Sequence, residues 1–126
     1  MKKVFLAKNA AAPAGQYSPA VEANGFVFLS GQIPVNADGS VDAGGISEQA
    51  EKVFENIKAV LQDAGLDLTD VVKVTVYATD LSDFAALNEV YAKHFSAPFP
   101  ARATVQVAGL PKGVALEMDA VAARKA

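Results

Sequence analysis

The chain has no cysteine, and that absence removes disulfides, thiolate nucleophiles and thiolate metal sites together. Histidine is almost as scarce. His94 is the sole imidazole, so a metal site built from several histidines is impossible within one chain. No stretch approaches the roughly 18 uninterrupted apolar residues of a membrane-spanning helix. The opening Met1-Lys2-Lys3-Val4-Phe5-Leu6-Ala7-Lys8 begins like an export leader, but its apolar run stops at Lys8, short of the roughly 7–15 residues such a signal needs. Concentrated positive charge is also missing. Lys and Arg number 11 against 14 Asp and Glu, a net charge of −3, and the densest basic group is only Lys2, Lys3 and Lys8. A surface that neutralises several phosphates needs more than that on one face. These absences point to a soluble, cytoplasmic protein with no membrane partner and with nucleic acid an unfavoured one; the lack of cysteine is compatible with a reducing compartment.

What is present fits one domain over residues 1–126, long enough to bury roughly two-thirds of its unfolded surface. Residues 2–6 read as a short strand and Asn9 to Gly15 as a loop. Residues 17–23 and 25–31 form two strands turning at Asn24-Gly25, and Asp38-Gly39 marks a second tight turn. From Ile46 the apolar period changes: Ala50, Val53, Phe54, Ile57, Val60, Leu61 and Ala64 follow at helical spacing. Ser47 is placed to cap that helix and Gly65 to end it. Over 71–78 the pattern alternates, with Val72, Val74, Val76 and Ala78 facing one way and Lys73, Thr75 and Tyr77 the other. A second helix of about 83–95 is expected, capped by Ser82, with Phe84, Leu87, Tyr91 and Phe95 on one stripe; Pro98 and Pro100 close it. The resulting class is α+β: a single mixed β-sheet of about six strands with two helices packed on one face.

The last two strands, 102–108 and 114–122, both alternate and are joined by a turn containing Gly109, Pro111 and Gly113. Paired as a hairpin, they place Ala103, Val105 and Val107 with Val114, Leu116, Met118 and Ala120 on the core face. Arg102, Thr104 and Gln106 then share the open face with Glu117 and Asp119, Thr104 lying opposite Glu117 and Arg102 diagonal to it. Lys73, Thr75 and Tyr77 belong to the same face. An arginine beside a glutamate there has two readings. One is an ordinary cross-strand ion pair. The other is a site in which Arg102 grips a carboxylate with its planar fork and Glu117 handles water as acid and base.

Several blocks of residues resemble the RidA (YjgF-like, reactive intermediate deaminase) family: Tyr17-Ser18, Ser30-Gly31-Gln32-Ile33-Pro34, Asn88-Glu89-Val90-Tyr91, Pro100-Ala101-Arg102, Leu110-Pro111-Lys112 and Leu116-Glu117-Met118. The resemblance runs nearly end to end. It implies a chorismate-mutase-like fold assembled as a homotrimer, sheets inward and helices outward, with three equivalent sites in clefts between subunits. It also implies roles: Arg102 as the carboxylate-binding arginine, Glu117 as the water-activating glutamate, Tyr17 closing the pocket, Ser30 and Gly31 forming its wall, and Asn88 near it on the helix. Each has an alternative reading: Tyr17 as a strand aromatic, Ser30-Gly31 as a strand end, Asn88 as a satisfied interface amide. Two departures stand out. Many relatives carry a cysteine two residues after the arginine, where this chain has Thr104, a small polar wall of the pocket without thiol chemistry. Relatives often read Gly-Pro-Tyr-Ser-Gln where this chain has Gly15-Gln16-Tyr17-Ser18-Pro19, which bears on substrate preference.

The activity so implied is hydrolysis of enamine and imine derivatives of 2-amino acids, such as 2-iminopropanoate and 2-iminobutanoate, to 2-keto acids and ammonia. No metal or organic cofactor is expected, because an imine is already electrophilic. Two alternatives belong to other classes: an RNA-cleaving translation inhibitor, and a ligand-binding or chaperone-like protein without turnover. His94 is expected at a helix end near solvent.

Overall fold

A computed structural model describes residues 2–7, 12–13, 15–42 and 44–125. Lys8, and residues 9–11 and 14 of the expected Asn9–Gly15 loop, lie outside the described residues. The strands are β1 (Lys3–Phe5), β2 (Ala20–Ala23), β3 (Phe26–Gln32), β4 (Val71–Ala78), β5 (Ala101–Gln106) and β6 (Leu116–Ala123), with helices α1 (Ile46–Asp63) and α2 (Phe84–His94). They form one six-stranded sheet in the order β1-β2-β3-β6-β4-β5. Every pairing is antiparallel except β4 with β5, which is parallel.

Local chemistry accounts for most of the elements. Asn24 and Gly25 both take positive φ, +53° and +80°, the combination a two-residue hairpin turn requires. Helix α1 buries Ala50, Val53, Phe54, Ile57, Val60 and Leu61, the stripe expected from the spacing. It ends in a Schellman motif: Gly65 at φ +74° donates to the Gln62 carbonyl and Leu66 to that of Leu61. Ser47 does not cap it. The N-cap is Gly45, since the helix starts early enough to pack Ile46 against the core. Ser82 likewise does not cap α2. Asp80 accepts from the Ser82 amide and opens a short 3-10 turn, Leu81–Asp83, that leads into the helix.

Two expectations about strand faces are corrected. In β4, Val71 rather than Val72 joins Val74, Val76 and Ala78 inside, because the pairing with β6 slips between Val71 and Lys73; Val72 is 43% exposed. The larger correction concerns the last two strands. They are not a hairpin: β4 lies between them. Arg102 pairs with Val74, Thr104 with Val76 and Gln106 with Ala78, whereas Glu117 pairs with Tyr77 and Asp119 with Thr75. Residues paired directly across a sheet share a face. Arg102, Thr104 and Gln106 therefore lie on the helix side, with Val74 and Val76. Glu117 lies on the open side, together with Asp119, Thr75, Tyr77 and the half-exposed Phe26 and Phe28. Ala103 and Val105, expected inside, are exposed on that open side.

One core cluster fills the space between sheet and helices, combining Val27, Leu29, Val74, Val76, Leu116 and Met118 with the inner faces of α1 and α2. Within it Asn56, 5% exposed, donates to the carbonyls of Ile33 and Val35 at 3.0 and 2.9 Å. That fixes the segment after β3 from beneath. His94 is less open than a solvent-facing helix end. Its ring stacks on Phe54 at 4.3 Å and its Nε2 lies 2.6 Å from Glu51 Oε1.

Candidate functional site

The residues singled out from the sequence divide into two groups on opposite faces of the sheet. One chain does not bring Arg102 and Glu117 together. Their expected convergence within a single crevice of one chain is overturned by the position of β4.

The first group surrounds Glu117. A recess on the open side is lined by Tyr17, Ser30, Gly31, Ile33, Pro111, Lys112 and Glu117. Glu117 is half-buried on β6. Burial pushes its carboxyl above the ordinary carboxylate range, and the negative charge of Asp119 pushes the same way. Gly31 is what makes room for it: a Cβ there would stand 2.1 Å from Glu117 Oε2 and 2.8 Å from its Cδ. Ser30 has its hydroxyl committed to the Ser18 carbonyl at 2.6 Å, and its amide donates to Pro19 at 2.9 Å. Those bonds tie the segment carrying Tyr17 to the start of the recess. Tyr17 itself is 52% exposed. Lys112, at φ +58°, closes the far side and donates to the Gly39 carbonyl at 2.8 Å.

The second group surrounds Arg102, on the edge strand β5. Phe84, Asn88 and Tyr91 occupy positions i, i+4 and i+7 of α2 and so share one helix face. That face holds the guanidinium. Asn88 Oδ1 accepts from Arg102 Nη1 at 2.9 Å, and the guanidinium carbon sits 5.3 Å from the Phe84 ring centre and 4.7 Å from that of Tyr91. Such stacking orients the planar fork without neutralising it. Thr104 lies on the same side, its hydroxyl buried and, like that of Tyr91, without a hydrogen-bond partner among the described residues. The Phe84–Tyr91 cradle was not foreseen, although both rings flank Asn88 on the stripe read from the sequence. Neither was the hydrogen bond from Tyr77 to Asp119, 2.9 Å, which becomes visible only once β4 is placed beside β6.

A larger recess lies at the other end of the sheet between Lys3, Glu22, Asp63 and Arg124. Its arginine is already committed, donating to Glu22 at 2.8 and 3.0 Å and to the Ala64 carbonyl at 2.7 Å. Among the described residues no group of three or more acidic, histidine or cysteine side chains is placed to hold a metal ion, and no helix is long and apolar enough to cross a membrane.

Comparison with known proteins bears on both groups. Residues 7–124 match the family model described as Endoribonuclease L-PSP. A RutC family protein of Pyrococcus abyssi is 49% identical over 122 residues, covering 96% of each chain. TdcF of Escherichia coli K12, named as a candidate reactive intermediate deaminase, is 43% identical over 129 residues, covering both chains completely; a crystal structure of E. coli TdcF with bound serine superposes with a TM-score of 0.90 at 41% identity, covering 98% of this chain and 99% of that one. RidA from an Antarctic Psychrobacter superposes with a TM-score of 0.92 at 46% identity, over 97% of this chain and 99% of the other.

Proposed function

Because the chain belongs to the Endoribonuclease L-PSP (YjgF/RidA) family, we propose that it is a reactive intermediate deaminase whose active site forms between two copies of the chain. In this reading Arg102 of one copy faces Glu117 of the next. The observation that carries it is the division itself: a guanidinium posed by Asn88 and two rings on one side of the sheet, and a half-buried carboxylate in a recess on the other. Each is half of a site for a 2-imino acid, and the protomer has no means of joining them. A homotrimer, with its sheets inward and three such clefts, supplies the closure expected of a cyclic assembly, and the apolar patch of Phe26 and Phe28 on the open face gives it a surface to bury.

In the composite cleft Arg102 binds the substrate carboxylate in a bidentate pair and so orients the C=N carbon. Glu117 accepts a proton from water as the oxygen adds to that carbon. Glu117 returns that proton to the nitrogen, giving the neutral carbinolamine; it then takes the hydroxyl proton and delivers it to the nitrogen as the C–N bond breaks, so that ammonia and a 2-keto acid leave. Tyr17 closes the recess, Ser30 and Gly31 wall it, and Thr104 lines the Arg102 side. The substrates proposed are 2-iminopropanoate and 2-iminobutanoate. The bound serine of the TdcF structure supports a site of amino-acid size in such a fold. A cytoplasmic setting remains part of the proposal.

The test uses subunit mixing. Arg102→Ala and Glu117→Ala trimers are each expected to be inactive on imine generated by a threonine dehydratase. After unfolding and refolding together in equal amounts, about one quarter of the clefts should hold both intact side chains by random association, and a matching share of activity should return. No recovery in verified mixed trimers would refute the composite site.

The family description names an endoribonuclease, and that reading has its own requirement: an acid–base pair, usually of histidines, near basic residues. Here the single histidine is packed between α1 and α2 against Phe54 and Glu51. RNA cleavage that tracks the purified protein peak and disappears in Glu117→Ala would favour it over deamination.

A further inference from the structure

We propose that Asp119, held in place by Tyr77, is a positioning residue that keeps the Glu117 side chain able to carry a proton and return it during turnover. The inference deepens the deaminase reading and rests on it. It starts from the register. Tyr77 is the direct cross-strand partner of Glu117, and Asp119 follows two residues after Glu117 on the same face of β6. The Tyr77 hydroxyl does not point its proton at Glu117. It donates to Asp119 Oδ2 at 2.9 Å. The Asp119 carboxylate, held in position by that bond, stands next to the carboxyl assigned to water activation.

Among the described residues the other groups around Glu117 do not cancel it. From β3 it meets Gly31, which carries no side chain, and Ser30, whose hydroxyl is committed to Ser18. From the turn before β6 comes Lys112, tied to the Gly39 carbonyl. Along β4 beyond Tyr77, the Lys73 ammonium donates to Thr75 Oγ1 at 3.1 Å. The carboxyl is raised by burial first and by Asp119 second, and among the described residues no cation acts against them. The composite cleft changes this balance. Arg102 of a neighbouring copy would sit across the substrate and favour the carboxylate strongly. A carboxylate held too far down still accepts hydrogen bonds but takes a proton from water poorly. Asp119 offsets that pull. It keeps Glu117 poised between base, when water adds, and acid, when nitrogen leaves.

Asp119→Asn tests this with little change of shape, because its amide oxygen can still accept from Tyr77; Asp119→Ser removes the same charge if the first variant fails to fold. The Glu117 carboxyl is followed by carbon-13 NMR titration of the assembled protein, its signal assigned by its loss in Glu117→Gln. The pH–rate profile for dehydratase-generated 2-iminobutanoate is measured in parallel, with the dehydratase in excess at every pH. Both the Glu117 midpoint and the acidic limb of kcat/KM should move to lower pH in the variants. A midpoint unchanged from the wild type overturns the inference whatever the rates do. A midpoint that falls while the acidic limb stays fixed supports the Asp119–Glu117 coupling and overturns instead the assignment of Glu117 as the water-activating group.

Discussion

Gly31→Ala is the sharpest test of where the Glu117 carboxylate must sit. The backbone at Gly31 is not in the left-handed region, so alanine meets no conformational penalty, and the effect is confined to one methyl group. That methyl would stand 2.1 Å from Oε2, 2.8 Å from Cδ and 3.3 Å from Cγ of Glu117. Ordinary contact begins near 3.4 Å, so the carboxylate must retreat by more than about 1 Å. Misplacement of a reacting group on that scale can cost about 100-fold in rate. Stability should suffer less, about 1–3 kcal/mol of overpacking at most, because a half-buried side chain can turn toward the recess. The assay is keto acid release from dehydratase-generated imine, with kcat and KM separated: kcat falls about 100-fold while KM changes little, since Arg102 is untouched. Gly109→Ala serves as the control, because no described residue lies within 4 Å of a Cβ there, and it should behave as wild type. A folded Gly31→Ala variant that retains wild-type kcat would refute the claim that this position of the carboxylate matters for catalysis.

Arg102→Lys keeps the positive charge but loses the fork and the stacking on Phe84 and Tyr91; KM for the imine should rise at least about tenfold, and an unchanged KM would remove the bidentate clamp. Tyr91→Phe deletes a buried hydroxyl without a partner while sparing the ring under Arg102. Such a group costs about 1–3 kcal/mol when unsatisfied, so Tm should rise with activity within about twofold; a lower Tm would mean that the hydroxyl does have a partner. Glu51 is held below its ordinary range chiefly by the hydrogen bond from His94. A depressed folded-state carboxyl stabilises above its unfolded value and loses that contribution as pH falls through the folded one. His94→Gln should therefore narrow the stability difference between pH 7 and the acid side of the usual glutamate range in urea melts, and an unaltered pH dependence would exclude the pair as its source.

The elements were legible because local rules wrote them: the Asn24-Gly25 turn, the helical spacing from Ile46 to Ala64 with Gly65 past its end, and the alternation along β6. The candidate site was legible only as a set of residues. Its geometry depended on which strand β5 pairs with, and alternation cannot say that. The misreading has a physical origin. Consecutive strands are commonly neighbours, and Arg102-Thr104-Gln106 looked like the polar side of a half-buried strand. On an edge strand the rule weakens. The helix layer does not seal that edge, so the inner-facing positions can be polar, and the outer-facing Ala103 and Val105 are left exposed. The same blindness hid the bulge at Val72, since a one-residue slip leaves no mark in a run of valines. Asn56 escaped for a different reason: a single amide on an apolar stripe reveals its two carbonyl partners only in three dimensions.

The topology that breaks the single-chain site also explains why the family residues are spread so widely along the sequence. With β4 inserted between β5 and β6, Arg102 and Glu117 are two strands apart and face opposite ways. No side-chain rotation can bring them together, because the sheet itself stands between. Under the proposed function the arginine of one copy therefore meets the glutamate of another, and activity becomes a property of the assembly. Dilution below the assembly threshold should then abolish deamination while each protomer keeps its core, because Val74, Met118 and their neighbours are buried within one chain. Activity that stays proportional to protein concentration through dissociation to folded monomers would contradict that dependence directly.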